Sequence, residues 1–460
     1  MFVIPALNRE IALTQYASRL RKNCSAMGDL CAFFQNFMDI PVSVLYLYQI
    51  RLGKTELNVH TVSMKPICIR NGTVLGGYAV MENHTILLED GKISGVFSRQ
   101  QFEQKRIPSD TQYIDADGAW IAPGFIDTHI HGYGGFGTDD AMFDEYNVKD
   151  AQDSMIQLSR LLVKSGVTAF NPTVYPAVKD TMTGAIAKIA SVMGKEDGAR
   201  IMGLHLEGPF LSLEKPGVMR LGTIYPVDLD CMEQFWNAAE GHIINMTVAP
   251  ELENMSRLAG YCNNRGIILQ AGHTNASYEE IIQGMQMGIF HCTHLFNAMR
   301  RMEQRNPNAV EAILSHSEMS CELIPDGIHV HPGLIKLIAQ IKPADKIVMV
   351  TDSLRCTGQN TGILYANGDT MVYKDSVFRR IEDDIIGGSA ITMIQGIKNL
   401  VQFGFSVENA VKAASLNPAR AMGYSNKGII AAGKDADITI FDKDFIVRSV
   451  IAGGELKFKG

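Results

Sequence analysis

Apolar and polar positions change their period twice along this 460-residue chain. From Ile67 to Ile121, the short runs ICIRNGTVL, TILLEDGKISGVFS and YIDADGAWIAPG are punctuated by Asn71-Gly72, Asp90-Gly91 and Asp117-Gly118. Apolar or alternating runs closed by such dipeptides predict strands and tight turns. The C-terminal stretch GIIAAGKDADITIFDKDFIVRSVIAGGELKFKG reads in the same style, as four short strands with glycine turns. Between these ends, eight apolar runs predict strands: FIDTHIHG, TAFNPTVY, RIMGLHLEG, IINMTVAPE, IILQAGHT, FHCTHLFN, MSCELIPDG and KIVMVTDS. Helical periodicity fills most of the gaps. Asp150–Lys164 puts Met155, Leu158, Leu161 and Leu162 on one face and stops at Gly166; Thr181–Met193 does the same with Met182, Ile186, Ile189 and Met193.

Eight strand–helix units predict a (β/α)₈ TIM-type barrel over residues 121–425. The β-rich segments 64–120 and 426–460 would then form one small β-sandwich drawn from both ends of the chain. A doubly wound open sheet is the alternative, and no G-x-G-x-x-G follows an early strand to support it. Residues 1–63 carry neither pattern. They read as a helical N-terminal extension, or as residues preceding a natural start at Met64.

Composition narrows the function classes. A hydrophobic share of 46% supports a large buried core. The net charge of -7 comes from interspersed charges, with no basic stripe for nucleic acid and no polybasic segment for a membrane surface. A local basic pocket for a small anion remains compatible with that balance. The eight cysteines are irregularly spaced without a C-x-x-C pair, which predicts reduced, buried thiols in a cytoplasmic protein. Arg9 and Glu10 interrupt the place where a signal peptide's apolar core would lie, and Ile40 to Ile50 is too short to span a bilayer.

The polar residues that remain fall at the C-terminal ends of the predicted strands. His129 and His131 end the first, His205 and Glu207 the third, and His273 the fifth. His294 and Asn297 follow the sixth, Asp326 and His329 the seventh, and Asp352 the eighth. In a barrel these positions converge on the face that carries catalysis. His129 and His131, two apart on a strand, point the same way. With Glu207, His273 and His294 they offer imidazole and carboxylate donors suited to zinc, iron or a similar divalent ion, one or two per subunit. Asp352 is placed to take a proton from an attacking water and deliver it to a leaving amine. The alternative is a turn or helix-cap aspartate in the T-D-S sequence, and the barrel register favours catalysis.

These motifs resemble the N-acetylglucosamine-6-phosphate deacetylases of the amidohydrolase superfamily. The matching segments are PGFIDTHIHG, HLEGPF, AGHTNASYEE, THLFNAM, DGIHV, VTDS, GGSAITM and ASLNPA, with KGIIAAGKDADITIFD near the end. They span residues 65–460. The resemblance implies that Glu207, His273 and His294 hold the principal metal, that His129 and His131 hold a second, and that Asp352 is the catalytic acid and base. It implies that His329 contacts the sugar and that Asn297 and Ala298 meet its phosphate, partly through backbone amides. Arg305, eleven residues after His294, would reach the phosphate in a neighbouring subunit, which implies a homodimer. Arginine's planar fork suits phosphate, although Arg300, Arg301 and Arg305 read by themselves as a solvated basic turn.

One position departs from the pattern. The family usually places histidine or glutamine two residues after a glycine downstream of HLEGPF, and here Met219 stands there. Methionine donates no hydrogen bond. A second metal, another side chain such as Arg220, or a different substrate would account for it. The expected reaction is metal-dependent hydrolysis of the acetamide of N-acetyl-D-glucosamine 6-phosphate. The alternatives are another N-acetyl amino sugar phosphate, such as N-acetylgalactosamine 6-phosphate, and a non-catalytic barrel scaffold. Cyclic-amide hydrolases, which use a carbamylated lysine where Glu207 stands, are disfavoured.

Overall fold

The structure, a computed structural model, describes residues 64–143, 151–359 and 363–460. The two readings of residues 1–63 lie outside them, as does Asp150, the predicted first residue of a helix.

Eight strands, each paired in parallel with the next, build the barrel: β1 (Phe125–Ile130), β2 (Val167–Val174), β3 (Leu204–Glu207), β4 (Ile243–Val248), β5 (Ile268–Ala271), β6 (His291–Cys292), β7 (Ser320–Leu323) and β8 (Ile347–Met349). Every residue of β1 and β2 is buried, as expected of a parallel sheet covered on both faces. The sheet closes just beyond the ends of its first and last strands. Asp352 N–H donates to His129 O (2.9 Å), and His131 N–H donates to Ser353 O (3.0 Å). Below them the Thr351 hydroxyl donates to Asp127 Oδ2 at 2.6 Å. The seam therefore fixes the backbone of three of the predicted site residues.

Eight helices follow the strands in turn: α1 (Ala151–Leu162), α2 (Lys179–Ala190), α3 (Leu229–Ala238), α4 (Met255–Asn263), α5 (Tyr278–Gln286), α6 (Ala309–Ser315), α7 (Pro332–Ile341) and α8 (Met393–Gln402). α1 buries Met155, Leu158 and Leu162; after one further 3₁₀ turn, Gly166 ends the segment in the left-handed conformation. α2 buries Met182, Ile186 and Ile189, each contributing about 1.5–3 kcal/mol. Among the described helices none is long and apolar enough to cross a membrane.

The two ends of the chain share one mixed eight-stranded sheet. Its joint is the antiparallel pairing of Ile438–Phe441 with Trp120–Pro123. Isoleucines from both ends, Ile67, Ile69, Ile86, Ile438, Ile440 and Ile451 among them, fill a core of its own. Of the four strands read in the C-terminal stretch, three form: Ile438–Phe441, Val447–Ala452 and Glu455–Lys459. The GIIAAG segment does not. Gly428 and Gly433 have positive φ, which breaks the extended run, although Ile430 still reaches the core.

Between β8 and α8 lies a three-stranded antiparallel insert, Ile363–Ala366, Asp369–Lys374 and Val377–Arg380. Its turns are Asn367-Gly368 and Asp375-Ser376, all four residues at positive φ, as two-residue hairpin turns require. Sequence reading did not anticipate this insert.

Candidate active site

The strand ends bring the distant donors together. Glu207 lies at the centre. Its Oε1 is 3.1 Å from His273 Nε2 and 3.0 Å from His294 Nε2, while its Oε2 is 3.2 Å from His131 Nε2. Asp352 Oδ1 is 3.4 Å from His129 Nε2 and 3.3 Å from His131 Nε2. Two trios of ligand atoms result, Glu207 with His273 and His294, and Asp352 with His129 and His131. All six residues are buried.

The donor set fits divalent ions. Ligand bonds of about 2.1 Å at tetrahedral angles put neighbouring donors roughly 3.4 Å apart, which matches these spacings. His129 Nε2 and Glu207 Oε2 are buried yet make no well-formed hydrogen bond; His129 Nε2 comes only to 3.6 Å from Glu207 Oε1. Buried unpartnered atoms of this kind are costly unless an ion satisfies them. The electrostatics agree. Burial opposes charge on His129 and His131, but Asp352 and Glu207 outweigh it and hold both imidazoles above their ordinary value. Burial would likewise raise Glu207 and Asp352, and the neighbouring imidazoles instead hold both carboxyls below the usual range.

The protein fixes which ring nitrogen three of the four histidines present, while His294 Nδ1 is buried without a hydrogen-bond partner. His131 Nδ1 donates to Thr173 O (3.1 Å) and His273 Nδ1 to Lys215 O (3.2 Å). His129 Nδ1 donates to Glu322 Oε2 (3.1 Å). In each case Nε2 is the nitrogen turned toward the ion bed. Glu322 ends a chain of amides that crosses the barrel interior. Asn171 donates to Asn245 (3.0 Å), Asn245 to Gln270 (2.7 Å) and Gln270 to Glu322 Oε1 (2.7 Å). Sequence reading missed both Gln270 and Glu322. The available signal was a lone carboxylate inside an apolar strand, at the centre of MSCELIPDG rather than at its end.

Three donors sit in unfavourable backbone: His273, His294 and Asp352 have φ of 47°, 23° and 48°. Such conformations cost roughly 1–3 kcal/mol each and cluster at functional sites. Asp352 is pinned on both sides, by its N–H on His129 O and by Ser389 N–H on its own carbonyl. His205, grouped with the donors by sequence, is a spacer. Its two ring nitrogens meet Thr173 and Thr247 hydroxyls, and burial holds it well below its ordinary value, so it is a neutral imidazole.

A cavity of about 410 Å³ opens above the donors, lined by Tyr175, Met219, Asn297, Ala298, His329 and the insert residues Asn367 and Arg379, among others. His329 is gripped at both nitrogens, Nδ1 by Asp326 Oδ2 (2.6 Å) and Nε2 by Gly387 O (2.8 Å). Burial disfavours charge on this ring too, but Asp326 and its other partners raise it overall. Asn297 lines the wall with its backbone N–H already donated to His294 O. Arg305 is exposed and does not line this cavity. Met219 is buried in the wall. Arg220, considered above as its substitute, is taken up by Gly368 O and Asp369 and does not line the cavity. Tyr175, also unanticipated, stacks flat on His131 with ring centroids 3.7 Å apart.

The amidohydrolase family model matches residues 120–457. The N-acetylglucosamine-6-phosphate deacetylase of Lysinibacillus sphaericus is 30% identical over 395 residues, covering 85% of this chain and 97% of that one. The Bos taurus protein of the same name is 31% identical over 366 residues, covering 77% and 87%. The Pasteurella multocida N-acetylglucosamine-6-phosphate deacetylase structure superposes with TM-score 0.77 at 28% identity, covering 86% of this chain and all of that one. The Mycobacterium smegmatis deacetylase solved with N-acetyl-D-glucosamine-6-phosphate gives 0.76 at 26%, covering 86% and 99%. With the barrel, its ion bed and these likenesses in agreement, the chain belongs to the amidohydrolase family, among its N-acetylglucosamine-6-phosphate deacetylases.

Proposed function

We propose that this enzyme hydrolyses the acetamide of N-acetyl-D-glucosamine 6-phosphate, giving D-glucosamine 6-phosphate and acetate. The observation that carries the reading is the convergence of His129, His131, His273 and His294 on Glu207, with Asp352 against His129 and His131, beneath one cavity. Glu207, His273 and His294 would hold the principal divalent ion, zinc or iron, and His129, His131 and Asp352 would contribute to a second. Bound there, such ions supply Lewis acidity for the carbonyl and for the attacking water. Asp352, held as a carboxylate by the adjacent imidazoles, takes the water's proton as its oxygen attacks the acetamide carbon. When the C–N bond breaks, Asp352 returns that proton to the sugar nitrogen, which leaves as the amine. His329, clamped by Asp326 and Gly387, forms a fixed wall for the sugar, beside Asn297 and Ala298. We place the enzyme in the cytoplasm as a homodimer, with Arg305 offered to the partner's substrate. The deciding experiment is acetate release from the glucosamine and galactosamine sugar phosphates, with metal analysis of the same preparation. A preference for the galacto epimer would move the assignment to that sugar, and release from neither would reject it.

A further inference from the structure

We propose that Arg379, on the last strand of the insert, receives the substrate's 6-phosphate from within the same subunit. The inference rests on the sugar-phosphate reading above and names a residue that sequence reasoning did not. Among the described residues lining the cavity, Arg379 is the one lysine or arginine. The carboxylates of that wall outside the ion bed are Asp369, already paired with Arg220 and Arg380, and Asp384, so Arg379 is the cationic side chain that this wall offers a phosphate dianion.

The two adjacent arginines of the insert have different roles. Arg380 is committed, donating to Val218 O (3.0 Å) and Asp369 (3.3 Å) and pairing with Asp383 (2.6 Å). It thereby ties the insert to the loop that carries Met219. Arg379 is held only through Nη1, which donates to Asp384 O (2.9 Å) and Oδ2 (3.3 Å). Its Nε is buried and has no hydrogen-bond partner. The Asp384 side chain is 67% exposed, and an ion pair to so exposed a carboxylate is weak. A phosphate offers the fork two oxygens and a second negative charge, so it can displace Asp384 and satisfy Nε. The position also suits the sugar. C2 and C6 lie on opposite sides of a pyranose ring, so an acetamide seated at the ion bed projects the phosphate away from it, to the cavity wall that includes Arg379.

The test uses the metal-loaded full chain. kcat/KM is measured on N-acetylglucosamine 6-phosphate and on unphosphorylated N-acetylglucosamine, with inorganic phosphate as a competitive inhibitor. In Arg379→Gln the preference for the phosphorylated sugar falls by roughly 10- to 100-fold, the scale of a lost charge-assisted contact, and phosphate inhibition weakens in parallel. Arg379→Lys, which keeps the charge without the fork, loses less. Asp384→Asn, which removes the competing carboxylate charge and leaves the backbone contact, tightens phosphate inhibition. An unchanged preference in a folded Arg379→Gln, or one lost only in Arg305→Gln, overturns the proposal. If Arg379→Gln does not fold, unchanged phosphate inhibition in both Arg379→Lys and Asp384→Asn overturns it. Wild-type enzyme with no acetate release from the phosphorylated sugar rejects the underlying reaction instead.

Discussion

His129 Nδ1 stands 3.1 Å from Glu322 Oε2, and Glu322 in turn accepts Gln270 at 2.7 Å. A carboxylate in this position fixes the imidazole tautomer and raises the basicity of the nitrogen that faces the ion. It is also the acceptor on which the amide chain from Asn171 ends, so no other group in that chain can replace it. Glu322→Gln puts an amide donor against the donors of Gln270 or His129. Metal affinity, measured by competition with a chelator, should fall by about 10- to 100-fold. A variant that folds and binds metal as tightly as wild type would show that Glu322 serves packing alone.

Asp352 separates metal binding from proton transfer. Its oxygen is within 3.4 Å of two imidazoles, yet Glu207, His273 and His294 form a trio without it. Asp352→Asn should therefore retain at least one ion per chain and lose turnover by roughly 10²- to 10⁴-fold, the range for a missing general acid–base group. Elemental analysis beside an acetate-release assay checks both halves. Substantial remaining turnover would remove Asp352 from the proton-transfer role.

The barrel and its ion bed were legible because buried parallel strands leave continuous apolar runs, and a charged residue ending such a run stands out. His129, Glu207, His273, His294 and Asp352 all carry that mark. Glu322 does not, since it lies inside its run and its meaning depends on a barrel crossing to His129. The insert had a readable signal in Asn367-Gly368, between alternating ILYA and DTMVYK, and missing it also hid Arg379. The fourth C-terminal strand was over-read because Ile430 is buried like a strand residue, while the glycines around it turn the chain. Arg220 could not be placed from sequence, since nothing local shows that it is taken up by Asp369, 149 residues further along the chain.

Acid stability should carry the signature of His291. This ring sits on β6 against the Ser320 hydroxyl, and burial pushes it from 6.5 down to about 4. Above its ordinary value neither folded nor unfolded chain binds the proton, and His291 contributes no pH dependence. As pH falls below 6.5, the unfolded chain takes the proton and the folded chain does not. Stability then declines by about 1.4 kcal/mol per pH unit, until the folded ring titrates as well. His291→Gln should flatten this limb. The check is urea unfolding of both proteins between about pH 7 and pH 5, where the wild-type loss should exceed the variant's by roughly 2 kcal/mol. Equal losses would mean that the folded ring accepts its proton freely.

Met219 makes ion stoichiometry the most informative measurement on the reaction itself. Its sulfur, approached by the Asn367 amide at 3.7 Å, has no hydrogen to offer a developing oxyanion. Arg220 is taken up by Gly368 O and Asp369 and does not line the cavity, so the polarising charge must come from the floor of the cavity. The floor has donors for two ions, and both trios are complete. Removal of metal should abolish acetate release, and stepwise return of a divalent ion should restore it only as the second equivalent binds. Met219→His, which places a ring donor in the wall, should then partly relieve the requirement, raising activity at one equivalent more than at two. Full activity at one ion per chain in wild type would show that a single cation suffices for the carbonyl, and would leave His129 and His131 a supporting role around Asp352.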